Sequence, residues 1–173
     1  MKEIELKILE INVSEVVAKL EKWGAKKTSD GMIDGGKYDF SDERLKKDGK
    51  MLRLRKHGDK VELTLKKGLS QDVAKVADEW EVSVSSFEVT EKILTEMGMQ
   101  KNAVTQKHRM SYQLGNVHFD IDTPPGIPTV LEIEAPSIEI LKQYVEKLGF
   151  TMEQTKPWTG KQLHEYYGEK GKI

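Results

Sequence analysis

Residues two apart on an extended strand share one face. The first such face in this chain carries Glu3, Glu5 and Lys7, with Ile4, Leu6 and Ile8 on the other. The pattern recurs along the chain. Arg53 and Arg55 alternate with Leu52 and Leu54, and Glu62, Thr64 and Lys66 with Val61, Leu63 and Leu65. Glu79 and Glu81 flank Trp80, and Lys107 and Arg109 flank His108. His118, Asp120 and Asp122 alternate with Val117, Phe119 and Ile121, and Glu132 and Glu134 with Leu131 and Ile133. The bases Lys7, Arg53, Arg55, Lys66, Lys107 and Arg109 suit several phosphates, because guanidinium forks match phosphate oxygens. The carboxylates of Glu3, Glu5, Glu132 and Glu134 suit a hard divalent cation such as Mg²⁺ or Mn²⁺. A site holding both sets suits a metal-bound polyphosphate, since the carboxylates would repel the phosphates unless a metal stood between them.

Two readings of these faces stand side by side. In the first, an antiparallel sheet has one face on the core and one in water. In the second, the sheet curls, the polar faces converge, and the apolar faces point outward to be covered by helices. A solvated face usually mixes Thr, Ser, Gln, Lys and Glu. Here strand after strand offers a charge doublet, acids on some and bases on others, which favours a barrel with a charged lumen. Such charges must neutralise one another or hold a ligand, because burying them unpaired is costly.

The elements that would position them are legible from periodicity. Strands are predicted over residues 2–10, 25–40, 51–57, 61–67, 75–85, 99–114, 117–123 and 130–135. Amphipathic helices are predicted over 13–23 and 86–97, and from Ile138 to a stop at Gly149, with a short one over 160–166. The long helices share one plan: a small polar cap (Asn12 or Ser14, Ser86, Ser137), an apolar stripe, then a glycine. Phe87, Val89, Ile93, Leu94 and Met97 form the stripe of the second. Residues 41–50 read as a polar connection and 68–73 as a loop. No linker divides the chain, so the expectation is one α+β domain, 1–173: a closed antiparallel eight-stranded barrel with helices outside.

Composition removes several function classes. The chain has 28 Lys and Arg against 29 Asp and Glu, a net charge of −1, which argues against a general nucleic-acid binder. It has no cysteine, so thiol chemistry and Cys-based metal sites are excluded. No apolar run approaches the length of a membrane span, and the first residues lack a leader's apolar core, so no membrane partner and a cytoplasmic address are expected. There is no Gly-x-x-x-x-Gly-Lys-[Ser/Thr] loop.

The charged motifs, in their order and over nearly the whole chain, resemble the CYTH domains, or triphosphate tunnel metalloenzymes. They are Glu3-Ile4-Glu5-Leu6-Lys7, Leu52-Arg53-Leu54-Arg55, Leu63-Thr64-Leu65-Lys66, Glu79-Trp80-Glu81, Lys107-His108-Arg109 and Leu131-Glu132-Ile133-Glu134. That family includes class IV adenylyl cyclases, thiamine triphosphatases and inorganic triphosphatases. The resemblance implies a metal site of Glu3, Glu5, Asp122, Glu132 and Glu134, with Asp120 the rival of Asp122. It implies phosphate contacts from Lys7, Arg53, Arg55, Lys66, Lys107 and Arg109. Glu5, Lys7, Arg55 and Lys66 are expected to act on the reacting phosphoryl group. Glu79 and Glu81 either orient these bases or hold a second metal, with pairing placed first. Lys161 either closes the tunnel or is a solvated lysine, and Tyr38 either stands at the tunnel mouth or packs. His57 is expected in solvent, His108 outside, and His118 on the Asp120 face; Trp23, Trp80 and Trp158 are read as packing residues. The implied function is a divalent-metal-dependent hydrolase of inorganic triphosphate, thiamine triphosphate or a similar small molecule. The alternative is a class IV adenylyl cyclase acting on ATP; a third reading is a polyphosphate- or nucleotide-binding module. An exposed apolar outer strand would support a homodimer.

Overall fold

A computed structural model describes residues 2–169; Met1 and residues 170–173 of the expected domain lie outside the described residues. The strands are β1 (Lys2–Ile8), β2 (Lys26–Phe40), β3 (Lys50–His57), β4 (Lys60–Gln71), β5 (Lys75–Ser83), β6 (Met99–Leu114), β7 (Val117–Thr123) and β8 (Val130–Glu134). They run antiparallel in the order β5-β4-β3-β2-β6-β7-β8-β1, and β1 returns to β5 to close the barrel. The closing seam is short: Lys2 to Glu5 of β1 pair with β5, while Lys7 and Ile8 on the same edge pair with β9 (Thr155–Lys156).

The expected inversion of inside and outside holds. Leu6, Ile8, Phe119, Ile121, Leu131 and Ile133 are fully buried on the outer wall, against α1 (Val13–Lys22) and α4 (Ile138–Lys147). Leu52, Leu54 and Tyr38 meet α3 (Phe87–Glu96), and Ile127 and Val130 meet α5 (Gly160–Glu169). The apolar core therefore lies between barrel and helices. Asn12, Ser86 and Ser137 each accept a hydrogen bond from a first-turn backbone N–H, as the sequence plan requires. No helix among the described residues is long and apolar enough to cross a membrane.

Several local expectations are corrected. Residues 41–50 contain a one-turn helix, α2 (Arg44–Lys47), tied down by Asp39, whose carboxylate accepts the backbone N–H groups of Leu45 and Lys46. The expected loop at 68–73 is strand to Gln71, because a bulge between Gly68 and Ser70 restores pairing with β5. The stripe on α3 is only partly buried: Leu94 is inside, but Val89, Ile93 and Met97 are exposed. Trp80 is 54% exposed on the outer wall of β5, where no helix covers it. Trp23 and Trp158 do pack, against Tyr144 and Tyr166. The last helix runs on to Glu169.

One backbone approach sets how closely β2 lies on β3. A Cβ at Gly35 would stand 2.7 Å from Arg55 Cα and against the Leu54 carbonyl. Gly160 has no atom within 4 Å of its own would-be Cβ. Gly35→Ala is predicted to lose about 1–3 kcal/mol in a denaturant titration, the usual cost of overpacking, and Gly160→Ala to lose nothing.

Candidate functional site

The inner wall is built from cross-strand pairs of opposite charge. Lys7 stands opposite Glu132, Arg109 opposite Asp122, Arg55 opposite Glu62 and Lys66 opposite Glu79. Side chains so placed can reach each other directly. Lys7 Nζ is 2.5 Å from Glu132 and 3.2 Å from Glu5, and Lys75 Nζ is 2.7 Å from Glu5. Arg109 forks onto Asp122 with two 2.6 Å hydrogen bonds, contacts Asp120, and lies 3.4 Å from Glu132. Lys107 Nζ lies 2.5 Å from Asp122. Arg55 is 2.8 Å from Glu62 and 3.5 Å from Glu81, and Lys66 bonds Glu3 and lies 3.3 Å from Glu79.

These contacts leave a cavity of about 980 Å³ lined by inner-wall side chains. Arg53, Arg55, Lys66 and Arg109 face it, together with Glu3, Glu132 and Glu134. Glu5, Lys7, Lys107 and Asp122 are in the wall behind it, engaged in ion pairs. His57 and His118 also line it, with Ser29, Ser111 and Gln113. His57 is thus part of the site and not simply solvated, and its pKa is lowered by burial and by Arg109 and Arg55. His108 faces outward to Asp30. Glu79 and Glu81 pair with Arg53, Arg55 and Lys66, as the pairing alternative requires.

Two expected residues are elsewhere. Lys161 lies in the first turn of α5, its side chain 76% exposed and 3.3 Å from Glu165, and does not reach the lumen. Tyr38 points away from the tunnel; its hydroxyl donates to Glu91 of α3 at 2.6 Å. Two lumen bases escaped the sequence reading. Lys75 shares the parity of Glu79 and Glu81 and was open to that inference. Lys37 was hidden because its face of β2 reads Ile33, Gly35, Lys37 and shows no charge doublet.

Electrostatics divides the carboxylates into two kinds. Burial and Glu132 push Glu5 up, but Lys7, Lys75 and Lys66 outweigh them and hold it at about 2. Glu132 stays well below the usual range because Lys7, Arg109 and Lys107 overcome its burial. Asp122 stays low against burial because of Arg109 and Lys107. Glu3 and Glu134 go the other way. Burial and Glu5 raise Glu3 to about 7, and burial and Glu3 raise Glu134 to about 8. Glu3 Oε2 is buried with no hydrogen-bond partner, and among the described residues Glu134 has no ion pair.

Among the described residues no three carboxylate or imidazole groups converge on one point, so the expected cage of Glu3, Glu5, Asp122, Glu132 and Glu134 is not assembled. The physical reason is that Glu5, Glu132 and Asp122 are already neutralised by bases. Glu3 and Glu134 still fit a divalent cation. Mg²⁺ typically keeps several waters and takes one or two carboxylates plus substrate phosphates, a donor set that two under-neutralised acids, one of them with an orphaned oxygen, match.

The CYTH domain family matches residues 1–167. The solved structure of the PH1012 protein from Pyrococcus horikoshii OT3 superposes with a TM-score of 0.78 at 24% identity, over 93% of this chain and 98% of that one. A proposed adenylate cyclase from Vibrio parahaemolyticus gives 0.83 at 16%, over 94% and 97%. A proposed adenylyl cyclase from Hippeastrum, for which a dominant triphosphatase activity is described, gives 0.66 at 15%, over 99% and 97%. None of the curated proteins matches the chain. With a charged cavity inside a closed eight-stranded barrel and a family match over almost its whole length, this chain belongs to the CYTH domain family.

Proposed function

We propose that the chain is a divalent-metal-dependent hydrolase of inorganic triphosphate or a small organic triphosphate. One observation carries this reading: Arg53, Arg55, Arg109 and Lys66 face the same cavity as Glu3 and Glu134, the two acids left without enough positive charge. Phosphoryl transfer needs little covalent participation from the protein; positioning and charge stabilisation do most of the work. The three guanidinium groups and the Lys66 ammonium would hold the phosphate chain extended and neutralise its equatorial oxygens. Each would exchange a carboxylate partner for phosphate oxygen, so the acids that pair them now act as place-holders. A cation at Glu3 and Glu134 would polarise a phosphoryl oxygen and acidify a water. Water would attack the terminal phosphorus and its proton would pass to a carboxylate; orthophosphate forms, and the leaving group is pyrophosphate from inorganic triphosphate or the organic diphosphate from an organic triphosphate. Glu5, expected to act on the reacting phosphoryl group, is held at about 2 by Lys7 and Lys75 and is a poor base.

The cyclase reading draws on the cavity's size and the uncharged polar part of its lining. About 980 Å³ exceeds what three phosphates fill, and Ser29, Ser111, Gln113 and His118 offer hydrogen bonds to an organic group. In that reaction the ribose 3′-hydroxyl attacks the α-phosphorus of ATP and pyrophosphate leaves. A product assay with Mg²⁺ and Mn²⁺ separates the readings. Inorganic triphosphate, thiamine triphosphate and ATP are each supplied. Orthophosphate release is expected; cyclic AMP with pyrophosphate would establish the cyclase instead, and binding without turnover would reduce the chain to a polyphosphate-binding module.

The raised carboxylates also fix a pH dependence. Between its unfolded and folded pKa, such an acid is protonated in the folded chain and ionised in the unfolded one. The folded state then binds more protons, so stability falls as pH rises through that interval. For Glu3 the interval runs from 4.5 to about 7, and for Glu134 from 4.5 to about 8. Glu5 acts in the opposite sense, its contribution being lost on acidification from 4.5 towards about 2. The metal-free chain is therefore predicted to lose melting temperature as pH rises from about 5 to 8, and Mg²⁺ to restore it at the alkaline end. Glu3→Gln with Glu134→Gln should flatten the alkaline decline and remove the Mg²⁺ effect. An undiminished Mg²⁺ shift in that double variant would place the cation elsewhere.

A further inference from the structure

The outer wall is covered unevenly. Val76 on β5 joins the core beneath α1 and α4, but Trp80 and Val82, further along the same face, are each more than half exposed. β1 pairs with β5 only as far as Asp78 among the described residues, so no strand flanks Trp80 to Ser83 on that side. Leu65 and Leu63 stand opposite Trp80 and Val82 on β4 and are partly buried in the cluster under α3. α3 supplies the other half of the surface. Leu94 points into that cluster, and Glu91 reaches Lys101 of β6 and Tyr38 of β2. On a helix of about 3.6 residues per turn, Val89, Ile93 and Met97 then fall on the flank opposite Glu91, which is the flank towards β4 and β5. All three are more than half exposed. The five side chains form one apolar patch, with Trp80 and Val82 as its floor and Val89, Ile93 and Met97 as a ridge beside it.

Large side chains offer about 150–250 Å² each, so these five expose roughly 500 Å² of contiguous apolar surface. An interface of standard size takes about 800 Å² from each partner, of which about 56–65% is non-polar, or about 450–520 Å². The patch therefore has the apolar area of one such interface.

The charges at its edges say what covers it. On the barrel side Lys2, Asp78 and Lys67 stand in one row across β1, β5 and β4, two bases to one acid. On the helix side Glu88, Lys92 and Glu96 are exposed, two acids to one base. The helix half of one copy thus complements the barrel half of another. A two-fold axis makes both matches at once, because every contact from i to j recurs as j to i. The same axis sets the ridge of each copy on the floor of the other. A net charge of −1 offers little repulsion between copies.

We propose that the chain forms a two-fold homodimer in which α3 of each copy lies on the β4–β5 wall of the other, with Trp80 and Ile93 at the centre. The interface backs the strand that carries Glu79 and Glu81 to the cavity and adds no side chain to the cavity itself. It is independent of which reaction follows there.

The test is sedimentation velocity on the full chain over a range of concentrations. Wild type is expected to sediment as a dimer at about 10 μM and above, because interfaces of this size hold at micromolar concentrations or below. Trp80→Ser and Ile93→Glu, at exposed positions on the two halves of the patch, are each expected to raise the dissociation constant about tenfold or more, with far-ultraviolet circular dichroism unchanged. Val104→Lys, at an exposed apolar residue of β6 outside the patch, is expected to leave it unchanged. The chain has no cysteine, so Lys67→Cys and Glu96→Cys chains can be mixed, and a short bis-maleimide is expected to join one to the other. A wild type that is still monomeric at about 100 μM overturns the dimer. A dimer left intact by both Trp80→Ser and Ile93→Glu, an equal loss in Val104→Lys, or no cross-link between the two cysteine chains overturns the seating of α3 on β5. None of these readouts uses turnover, so a failed hydrolase reading and a failed interface remain distinguishable.

Discussion

Charges removed from water need charges of opposite sign close by, and that requirement governs this barrel. Its inner wall holds lysines, arginines, aspartates and glutamates where most small barrels hold leucine and valine. A single unpaired ion there would cost several kcal/mol. The strands meet the requirement through register: Lys7 beside Glu132, Arg109 beside Asp122, Arg55 beside Glu62. A one-residue slip of any of these strands would send the charges into the outer apolar layer and the leucines into the lumen. Ion pairing and hydrophobic burial therefore select the same register from opposite sides of one wall.

The helices follow from this inversion. An outer wall of Leu6, Phe119, Ile121, Leu131 and Ile133 must be covered, and α1 and α4 present Val16, Leu20, Leu141 and Val145 to it. Cover is thinner over β5 and along α3. Trp80 and Val82 on β5 are left exposed, as are Val89, Ile93 and Met97 along α3. The site is thus held in a frame whose packing lies entirely behind it. The side chains facing the cavity can exchange partners without disturbing the apolar core.

Period-two alternation made the barrel, its inner face and most of its charges legible, because it repeats on strand after strand. The same rule identifies which face a residue occupies but not which partner it meets. Glu5 and Glu3 are equivalent in the Glu-x-Glu-x-Lys motif, yet Lys75 reaches Glu5, while Glu3 keeps an oxygen with no partner. That difference comes from where β5 crosses β1, a long-range fact with no local signature. Lys37 was obscured by neighbouring glycines, and Gly35 is there because β3 comes too close for a side chain. Lys161 failed for a related reason: a basic residue near the end of a motif series says nothing about which side of its helix faces the barrel.

The net charge of −1 conceals two local imbalances. Glu3 and Glu134 are short of positive charge, and Lys37 and Arg53 are short of negative charge. They do not cancel each other, because the side chains are fixed on different strands and each set has its own neighbours. A cation alone would relieve the acids and leave the bases as they are; a phosphate alone would relieve the bases and be repelled by the acids. A polyphosphate carrying a divalent cation, as the proposed function requires, would correct both imbalances in one binding event. Each component would then raise the affinity for the other, as reciprocal linkage requires. On that reading the lumen would be more complementary to the charge distribution of the complex than to either ion alone.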